Sequence, residues 1–223
     1  MEIVYSYDDF NRITEVRRYV DGVNDEVLMH NVQYNQQSLL TQFDYGNGLG
    51  ATFSYDSRER ISTLNVKDGE TSYLTLNYTY DSNSNLTQLT NGWRDTSSDW
   101  HSEIESYSYD GLNRLTSASC VSWSHTYSYD KAGNRTSKDG ISYTINAVNE
   151  ITALSDGTSF TYDSNGNRTQ KTQGSDSWGY TYDSANRLTR VERNGVVLGE
   201  YVYDGYGKRI QASEDGVTTT YIY

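Results

Sequence analysis

Aspartates recur along the chain at short intervals, and most are followed four or five residues later by an arginine or asparagine, as in Asp56-Ser-Arg-Glu-Arg60. Carboxylates and guanidinium groups at this spacing could serve as acid–base pairs or hold cations. One catalytic site does not need ten copies of itself, however. We therefore interpret each Asp as the cap of a turn, and each Arg as the partner of acids or carbonyls in neighbouring hairpins.

Two stretches resemble the start of a calcium-binding loop. Asp81-Ser-Asn83-Ser-Asn85 and Asp163-Ser-Asn165-Gly-Asn167 reproduce the first three ligand positions of an EF-hand. The twelfth position, where that loop needs a bidentate Glu, holds Gly92 in one stretch and Gly174 in the other. The pattern therefore predicts no metal site, and no cofactor is expected.

Nucleophilic catalysis would need a thiol or hydroxyl group beside a base. The one cysteine, Cys120, precedes His125 by five residues. On a strand, that spacing places the two side chains on opposite faces. His30 and His101 fall between the repeated motifs, and no Gly-x-Ser-x-Gly elbow occurs. We predict no catalytic residue and no enzyme activity.

The recurring Asp, Asn and Arg residues belong to one repeated phrase. Its fullest copy is Tyr107-Ser-Tyr109-Asp110, followed by Asn113-Arg114-Leu115-Thr116. Successive copies are spaced 16 to 29 residues apart, which is typical of a repeat architecture. We predict one array of about ten repeats over residues 1–223, with the anchoring Asp or Asn at positions 8, 35, 56, 81, 110, 130, 146, 163, 183 and 204.

We predict that the Tyr, Asp and Arg of the better copies form a structural motif. These residues are Tyr7, Asp8, Arg12, Tyr55, Asp56, Arg60, Tyr80, Asp81, Tyr109, Asp110, Arg114, Tyr129, Asp130, Arg135, Tyr162, Asp163, Arg168, Tyr182, Asp183, Arg187, Tyr203, Asp204 and Arg209.

Each copy has the pattern of a β-hairpin. The two Tyr of Tyr-x-Tyr share one face of a strand, the Asp ends that strand, and Gly or Asn supplies the positive φ of the turn. Second turns follow, as in Lys138-Asp139-Gly140 and Arg193-Asn194-Gly195. The shortest intervals leave no room for a helix. The fold is therefore predicted to be all-β, with tandem hairpins that must stack or join edge to edge.

Composition agrees with a β-rich protein that has a polar surface. The chain has 22 Tyr, 4 Phe, 4 Trp and no Pro, and only 35% of its residues are hydrophobic. A formal net charge of −12 repels phosphate backbones, so nucleic acid is excluded as an expected partner. No transmembrane span or signal peptide is visible, and a lone Cys excludes an internal disulfide.

The longest spacers, residues 15–31 and 92–106, are expected to be surface loops. The chain ends on Tyr221-Ile-Tyr223, the opening of an eleventh copy. We interpret this as a sign that the array continues in a longer protein. Unpaired strand edges at the two ends would then favour edge-to-edge self-association.

The repeated phrase resembles the YD repeat of RHS-repeat proteins and covers nearly the whole chain. The resemblance implies a β-sheet ribbon that spirals into a shell or solenoid. In bacterial RHS toxins and toxin-complex proteins such a shell encloses a C-terminal toxic domain, and teneurins carry a related shell on animal cell surfaces. It further implies a secreted or cell-surface location in a larger bacterial protein, with the enclosed cargo and neighbouring repeats as partners.

The chain departs from that family in one respect. Those bacterial proteins carry an Asp-Pro-x-Gly phrase where the shell is capped and cleaved, and a chain with no Pro cannot contain it. Cleavage and toxicity are therefore not expected of this chain.

Two functions remain open from the sequence. The first is a non-catalytic shell segment of an RHS-type polymorphic toxin that encloses or scaffolds a cargo polypeptide. The second is an adhesion or carbohydrate-binding surface that uses aromatic side chains as stacking platforms, with Trp93, Trp100, Trp123 and Trp178 as candidates.

Overall fold

A computed structural model describes residues 2–20 and 24–223 of the chain. Every regular element in these two ranges is a β-strand, which confirms the predicted all-β fold of tandem hairpins. Over the same ranges, no helix occurs that could cross a membrane. The chain divides into two compact units, Met1–His125 and Thr126–Tyr223, which are described in turn.

The first unit is an antiparallel sheet in which each strand pairs with the next one along the chain. Its strands are β1 (Glu2–Tyr7), β2 (Ile13–Val20), β3 (Asn24–Tyr34), β4 (Leu40–Tyr45), β5 (Gly50–Tyr55), β6 (Ile61–Asp68), β7 (Thr71–Tyr80), β8 (Leu86–Arg94), β9 (Trp100–Tyr109) and β10 (Leu115–Ser119).

The second unit repeats the same meander with shorter strands. Its strands are β11 (Ser124–Tyr129), which begins just before the boundary, β12 (Arg135–Lys138), β13 (Ile141–Ile145), β14 (Ile151–Leu154), β15 (Ser159–Tyr162), β16 (Arg168–Gln173), β17 (Asp176–Tyr182), β18 (Leu188–Arg193), β19 (Val196–Tyr203), β20 (Arg209–Glu214) and β21 (Val217–Thr220).

Sheet faces follow directly from the period of two in the Tyr-x-Tyr strands. We call the face that carries both tyrosines the tyrosine face, and the opposite one the hydroxyl face. In the first unit, Phe53 pairs across strands with Leu64, and Leu64 with Leu76, which makes the tyrosine face apolar. Ser54 pairs with Thr63 on the hydroxyl face. Hydrophobic burial therefore stabilises one side of each sheet.

The core of the described residues is thin. Among the described residues, the buried hydrophobic side chains are only Phe43, Ala51, Ala118 and Ala212. Most tyrosines of the motif are half-buried. A Tyr suits this position because its ring buries a large apolar area while its hydroxyl group still finds a polar partner.

The two long spacers are strands, so their prediction as surface loops was wrong. Residues 92–106 are the ends of β8 and β9 and the turn between them, and residues 15–31 contribute to β2 and β3. Residues 21–23 of the first spacer lie outside the described residues. Long strands gain ladder hydrogen bonds over their whole length, which a solvated loop would not provide.

Candidate functional site

The repeated Asp closes a tight hairpin turn. In the first copy the backbone N–H of Asn11 donates to the Asp8 carbonyl (2.9 Å), and the Asp8 N–H donates to the Arg12 carbonyl (2.9 Å). This is a three-residue hairpin loop whose last residue is left-handed, with φ of 60° at Asn11. We call the five residues from each anchor onward the Asp turn.

The third residue after every anchor has a positive φ. These residues are Asn11, Ser38, Glu59, Ser84, Asn113, Gly133, Asn149, Gly166, Asn186 and Gly207. Gly and Asn tolerate this conformation best, which explains their frequency at that position. Glu59 is the residue least suited to it.

The carboxylate of the anchor satisfies the rest of the turn. In the third copy, Asp56 Oδ1 accepts the backbone N–H groups of Arg58 (2.8 Å) and Arg60 (3.0 Å). Asp56 Oδ2 accepts two guanidinium N–H groups of Arg60, from Nε at 2.7 Å and from Nη2 at 2.6 Å. The same four contacts recur at Asp8 and Arg12, and Asp110 pairs with Arg114 in the same way.

Asparagine replaces arginine as the fifth residue of the Asp turn in three copies. There the side-chain amide donates to Oδ2 of the anchor, as Asn85 does to Asp81 (2.9 Å). The remaining turns of this group are Asp130 with Asn134 and Asp163 with Asn167. Asp183 pairs with Arg187 at 2.7 Å, and Asp204 accepts the backbone N–H groups of Tyr206 and Lys208.

The seventh copy, which lacks the anchoring Asp, keeps the turn by exchanging the donor and the acceptor of one hydrogen bond. Asn146 stands in place of Asp, and its Oδ1 still accepts the backbone N–H groups of Val148 and Glu150. Its amide group now donates to the carboxylate of Glu150 at 2.7 Å. The donor and acceptor have changed places between the first and fifth residues of the turn, so the geometry survives the substitution.

These hydrogen bonds hold the anchoring carboxyls in their charged form. The pKa of Asp56 lies below its ordinary value, chiefly because of the side-chain hydrogen bond from Arg60. The side chain of the fifth residue of the turn lowers the pKa of Asp8, Asp81, Asp110, Asp130 and Asp163 in the same way. For Asp183 the backbone N–H of Arg187 is the largest cause of the lowered pKa.

The fifth residue of the Asp turn also contacts the next repeat. Arg60 Nη1 donates to the backbone carbonyl of Asp81 (3.1 Å), and its guanidinium carbon lies 4.5 Å from the ring centroid of Tyr80. Arg187 does the same to Asp204 (2.9 Å) and to Tyr203. Each such side chain therefore closes its own turn and holds the following one.

A second contact between repeats comes from the tyrosine that precedes each anchor. The Tyr80 hydroxyl donates to the backbone carbonyl of Ile61, which lies in the preceding repeat, at 2.9 Å. Seven other bonds join equivalent atoms at 2.7 to 3.1 Å. They run from Tyr34 to Ile13, Tyr55 to Leu40, Tyr109 to Leu86, Tyr162 to Ile151, Tyr182 to Arg168, Tyr203 to Leu188 and Tyr223 to Arg209.

Tyr7 and Tyr129 complete the set of predicted tyrosines. Tyr7 pairs with Ile13 in the sheet and is 55% exposed, with no earlier repeat among the described residues to contact. Tyr129 pairs across strands with Arg135.

The threonine of the motif has a role that the sequence did not reveal. Tyr80 pairs with Leu86 and Thr79 pairs with Gln88, so Thr87 forms a β-bulge without a cross-strand partner. Its hydroxyl donates to the Thr79 carbonyl (3.1 Å). Thr152 and Thr189 donate to Thr144 and Thr181 in the same way. A recurring Thr after a strand-starting Leu or Ile was the signal that could have indicated this bulge.

Among the described residues, three of the predicted arginines have no acid or carbonyl partner, so that interpretation was wrong for them. Arg135, Arg168 and Arg209 stand one residue later than Arg60 does, and their side chains lie on the tyrosine face. Arg135 lies over the rings of Tyr127 (5.9 Å) and Tyr143 (5.3 Å), one from its own repeat and one from the next. Arg168 and Arg209 each lie over two rings in the same arrangement. A shift of one residue thus moves the guanidinium from the turn to the sheet face.

The stretches that resemble calcium loops are Asp turns. Asp81 accepts N–H groups from Asn83 and Asn85. The amide groups of Asn83 and Asn85 both donate to Oδ1 of Asn113, in the next turn. Within the described ranges, no group of three or more His, Cys, Asp or Glu side chains could hold a metal ion.

The sequence predicted that Cys120 and His125 lie on opposite faces of one strand, but the two residues do not share a strand. Cys120 lies in the connection between β10 and β11, with its Sγ 3.1 Å from Ser122 Oγ. His125 lies in β11 and stacks on Trp123 with ring centroids 5.5 Å apart. The geometry therefore gives the thiol a serine neighbour.

The four tryptophans each contact an internal partner. Trp93 stacks on His101 (5.6 Å), and Lys171 (4.5 Å) lies over Trp178. A Cβ at Gly92 would lie 2.3 Å from the ring of Trp100, so that ring rests on bare backbone. Trp123 stacks on His125. Each ring thus has at least part of its surface covered by the chain itself.

These turns and contacts define a β-repeat protein whose motif residues join one repeat to the next. The chain belongs to the Teneurin YD-shell family, whose model matches residues 1–223. It is 32% identical over 270 residues to the tRNA3(Ser)-specific nuclease WapA of Bacillus spizizenii, with 98% of this chain and 11% of that protein covered. It is also 32% identical over 231 residues to the tRNA nuclease WapA of Bacillus subtilis, with 98% and 9% covered.

Two solved structures share this fold. The Photorhabdus luminescens Tc holotoxin pore matches with a TM-score of 0.73 at 18% identity, over 95% of this chain and 12% of that one. The TcdB2-TccC3-Cdc42 structure matches with a TM-score of 0.57 at 16% identity, over 97% and 14%. These matches show a shared fold. The chain spans about a tenth of the length of each relative.

Proposed function

We propose that this chain is a non-catalytic wall segment of an RHS-type polymorphic toxin, and that it helps to enclose or scaffold a cargo domain of the same polypeptide. The observation that carries this proposal is the repeated contact between successive Asp turns. The motif Tyr and the fifth residue of the Asp turn join one repeat to the next in both units. Residues that join successive repeats in this way have a structural role, as a wall segment requires.

The names of the relatives and the small share of each that this chain matches support a structural role for this segment. The curated relatives are named as tRNA nucleases, and this chain matches only 9% to 11% of their length. A net charge of −12 repels an RNA backbone. We propose that any nuclease activity in a parent protein belongs to another part of it, and that this segment faces the extracellular side as part of a secreted or surface protein.

Two assays test the absence of catalysis and the role in enclosure. The isolated chain, incubated with total tRNA and Mg²⁺, should leave the RNA intact. Cleavage that survives repurification would contradict a non-catalytic role.

The second assay uses this chain expressed together with the polypeptide that follows Tyr223 in its gene. The following domain should resist trypsin while attached, and become sensitive when Asp56, Asp110 and Asp183 are all changed to Ala. A matched triple change of Glu2, Asp68 and Glu70 to Ala, which are exposed acids outside the Asp turns and without a positive φ, should preserve the protection. Enclosure would be refuted if trypsin digests the following domain equally fast when it is attached and when it is alone. The lack of any following domain would refute it as well.

A further inference from the structure

Cations collect on the tyrosine face of the second unit, although the chain as a whole is acidic. Strand pairing places Arg168 opposite Tyr162, and Lys171 opposite both Phe160 and Trp178, all on that face. In the first unit, the corresponding position of Arg168 is an aliphatic residue, such as Ile61 or Leu86. The cations are therefore a local feature of this part of the second sheet.

A depression of about 360 Å³ lies among these side chains. It is lined by Leu154, Asp156, Thr158, Phe160, Arg168, Lys171, Gln173 and Tyr180. All of these residues belong to the second unit. The lining combines apolar rings, a leucine and two cations, so it suits a ligand that is both apolar and anionic.

Arg168 and Lys171 are free to bind such a ligand. The guanidinium carbon of Arg168 lies 5.5 Å from the ring centroid of Phe160 and 5.0 Å from that of Tyr180, and the residue is exposed. In the part of the chain that the structure describes, neither cation forms an ion pair, whereas Arg187 and Arg193 each do.

The acid that lines the depression, Asp156, accepts a hydrogen bond from a neighbouring backbone group. Asp156 Oδ1 accepts the backbone N–H of the buried Thr158 at 2.9 Å. This bond and the Thr158 hydroxyl lower the pKa of Asp156, with a smaller contribution from the Lys171 charge. The carboxylate therefore leaves one net positive charge in the depression.

We propose that this depression binds an acidic polypeptide segment, with Arg168 and Lys171 taking a Glu or Asp carboxylate and Leu154, Phe160 and Tyr180 contacting the adjoining apolar side chain. The proposal rests on the shell function above and adds the chemistry of the cargo segment that contacts the wall. A polynucleotide fits less well, because the acidic chain repels a long polyanion and two cations neutralise only a fraction of it.

Fluorescence anisotropy with a labelled eight-residue peptide of alternating Glu and Leu tests the proposal. The native chain should bind it, and binding should weaken between 50 and 300 mM NaCl as expected for an ionic contact. The double variant Arg168→Gln with Lys171→Gln should bind at least about tenfold more weakly, since two charge-assisted hydrogen bonds are lost. Arg190→Gln, a control on the hydroxyl face, should bind as the native chain does.

Lys171→Gln alone leaves the stacked Arg168 in place and should still weaken binding, which guards against a folding defect in the double variant. A Gln–Leu peptide of the same length should bind far less than the Glu–Leu peptide. Three outcomes would overturn the proposal: no binding of the Glu–Leu peptide, equal binding of the two peptides, or equal binding by the native and double-variant chains. Tighter binding of an eight-nucleotide oligouridine, lost in the same double variant, would assign the depression to nucleic acid instead. The trypsin-protection assay tests the proposed shell function separately, so the failure of one proposal can be distinguished from the failure of the other.

Discussion

The hydroxyl group of Tyr80 and the backbone carbonyl of Ile61 lie 2.9 Å apart and join two successive repeats. Ile61 is itself the cross-strand partner of Tyr55, the tyrosine of the preceding repeat. The same relation recurs along the array, as where Tyr109 donates to Leu86, the partner of Tyr80, and Tyr203 donates to Leu188, the partner of Tyr182. Half-burial of the ring raises the pKa of Tyr80, so the hydroxyl stays protonated and remains a donor at neutral pH.

Removing that hydroxyl group should lower the stability of the first unit. Tyr80→Phe keeps the ring under Arg60 and leaves the Ile61 carbonyl without its side-chain donor. We expect a loss of about 1 kcal/mol in the free energy of unfolding, the usual contribution of a hydrogen bond to stability. Urea denaturation followed by circular dichroism measures it.

Tyr73→Phe is the matched control for that change. Tyr73 lies in the same strand but outside the motif, and its side chain is 42% exposed. This variant should unfold at the same urea concentration as the native chain. Equal losses in the two variants would show that the hydroxyl bond to Ile61 has no special role.

Much of the fold could be predicted because its signals are local. Tyr-x-Tyr fixes a strand with one apolar face, the Asp and the Gly or Asn three residues later fix a turn, and both repeat often enough to exclude chance. Asn35 and Asn146 were recognisable as anchors because an amide oxygen accepts the same backbone N–H groups that a carboxylate does.

The contacts between repeats were harder to predict, since they depend on register. Arg60 and Arg168 look alike in the sequence, yet one lies in a turn and the other on the sheet face. The difference is a single residue in their distance from the anchor, and a single residue reverses the face in a strand. The long strands β8 and β9 were missed because their non-motif halves lack the tyrosine pattern.

The Asp turns should make stability fall in acid. The pKa of Asp110 in the folded chain is below its ordinary value of 3.8, chiefly through the side-chain hydrogen bond from Arg114. Between those two values the unfolded chain binds more protons than the folded one, so stability decreases as pH falls through that range. The contribution is fully present above about pH 5.

Asp110→Asn separates this effect from that of other acids. The amide still accepts two backbone N–H groups, as Asn35 does, but it carries no charge to pair with Arg114. The variant should be less stable than the native chain at pH 7, and the difference should shrink as pH falls towards 3. Urea midpoints at pH 7, 5, 4 and 3 measure both curves. Parallel curves would mean that the Asp110 charge does not contribute to folding.

Glu59 is a position where one substitution should stabilise the protein. Its φ of 62° is left-handed, and its exposed side chain lies at the edge of the third Asp turn. Glu59→Gly removes the steric cost of a Cβ in that conformation, and we expect a gain of about 1 kcal/mol. Thermal unfolding measures the gain.

Ser57→Gly controls for the added flexibility of a glycine. Ser57 belongs to the same turn but does not have a positive φ, so the new glycine should only make the unfolded chain more flexible. That variant should lose stability. A loss in Glu59→Gly as well would contradict the assigned turn geometry.

The bulge formed by Thr87 explains why Thr follows the returning Leu or Ile in so many copies. Its hydroxyl donates to the Thr79 carbonyl (3.1 Å) at the point where the ladder is interrupted. Thr87→Val keeps the β-branched shape and removes only that donor. We expect a loss of about 0.5 to 1 kcal/mol in the free energy of unfolding.

Thr90→Val provides the comparison, because Thr90 lies in the same strand with a regular cross-strand partner, Asn77. Valine is favoured in strands, so this change should be neutral or slightly stabilising. Amide hydrogen exchange adds a local measurement, in which Thr87→Val should speed exchange around the fourth Asp turn and Thr90→Val should not. If both variants gain stability, then the threonine recurs for its strand propensity alone, and the bulge hydrogen bond does not select it.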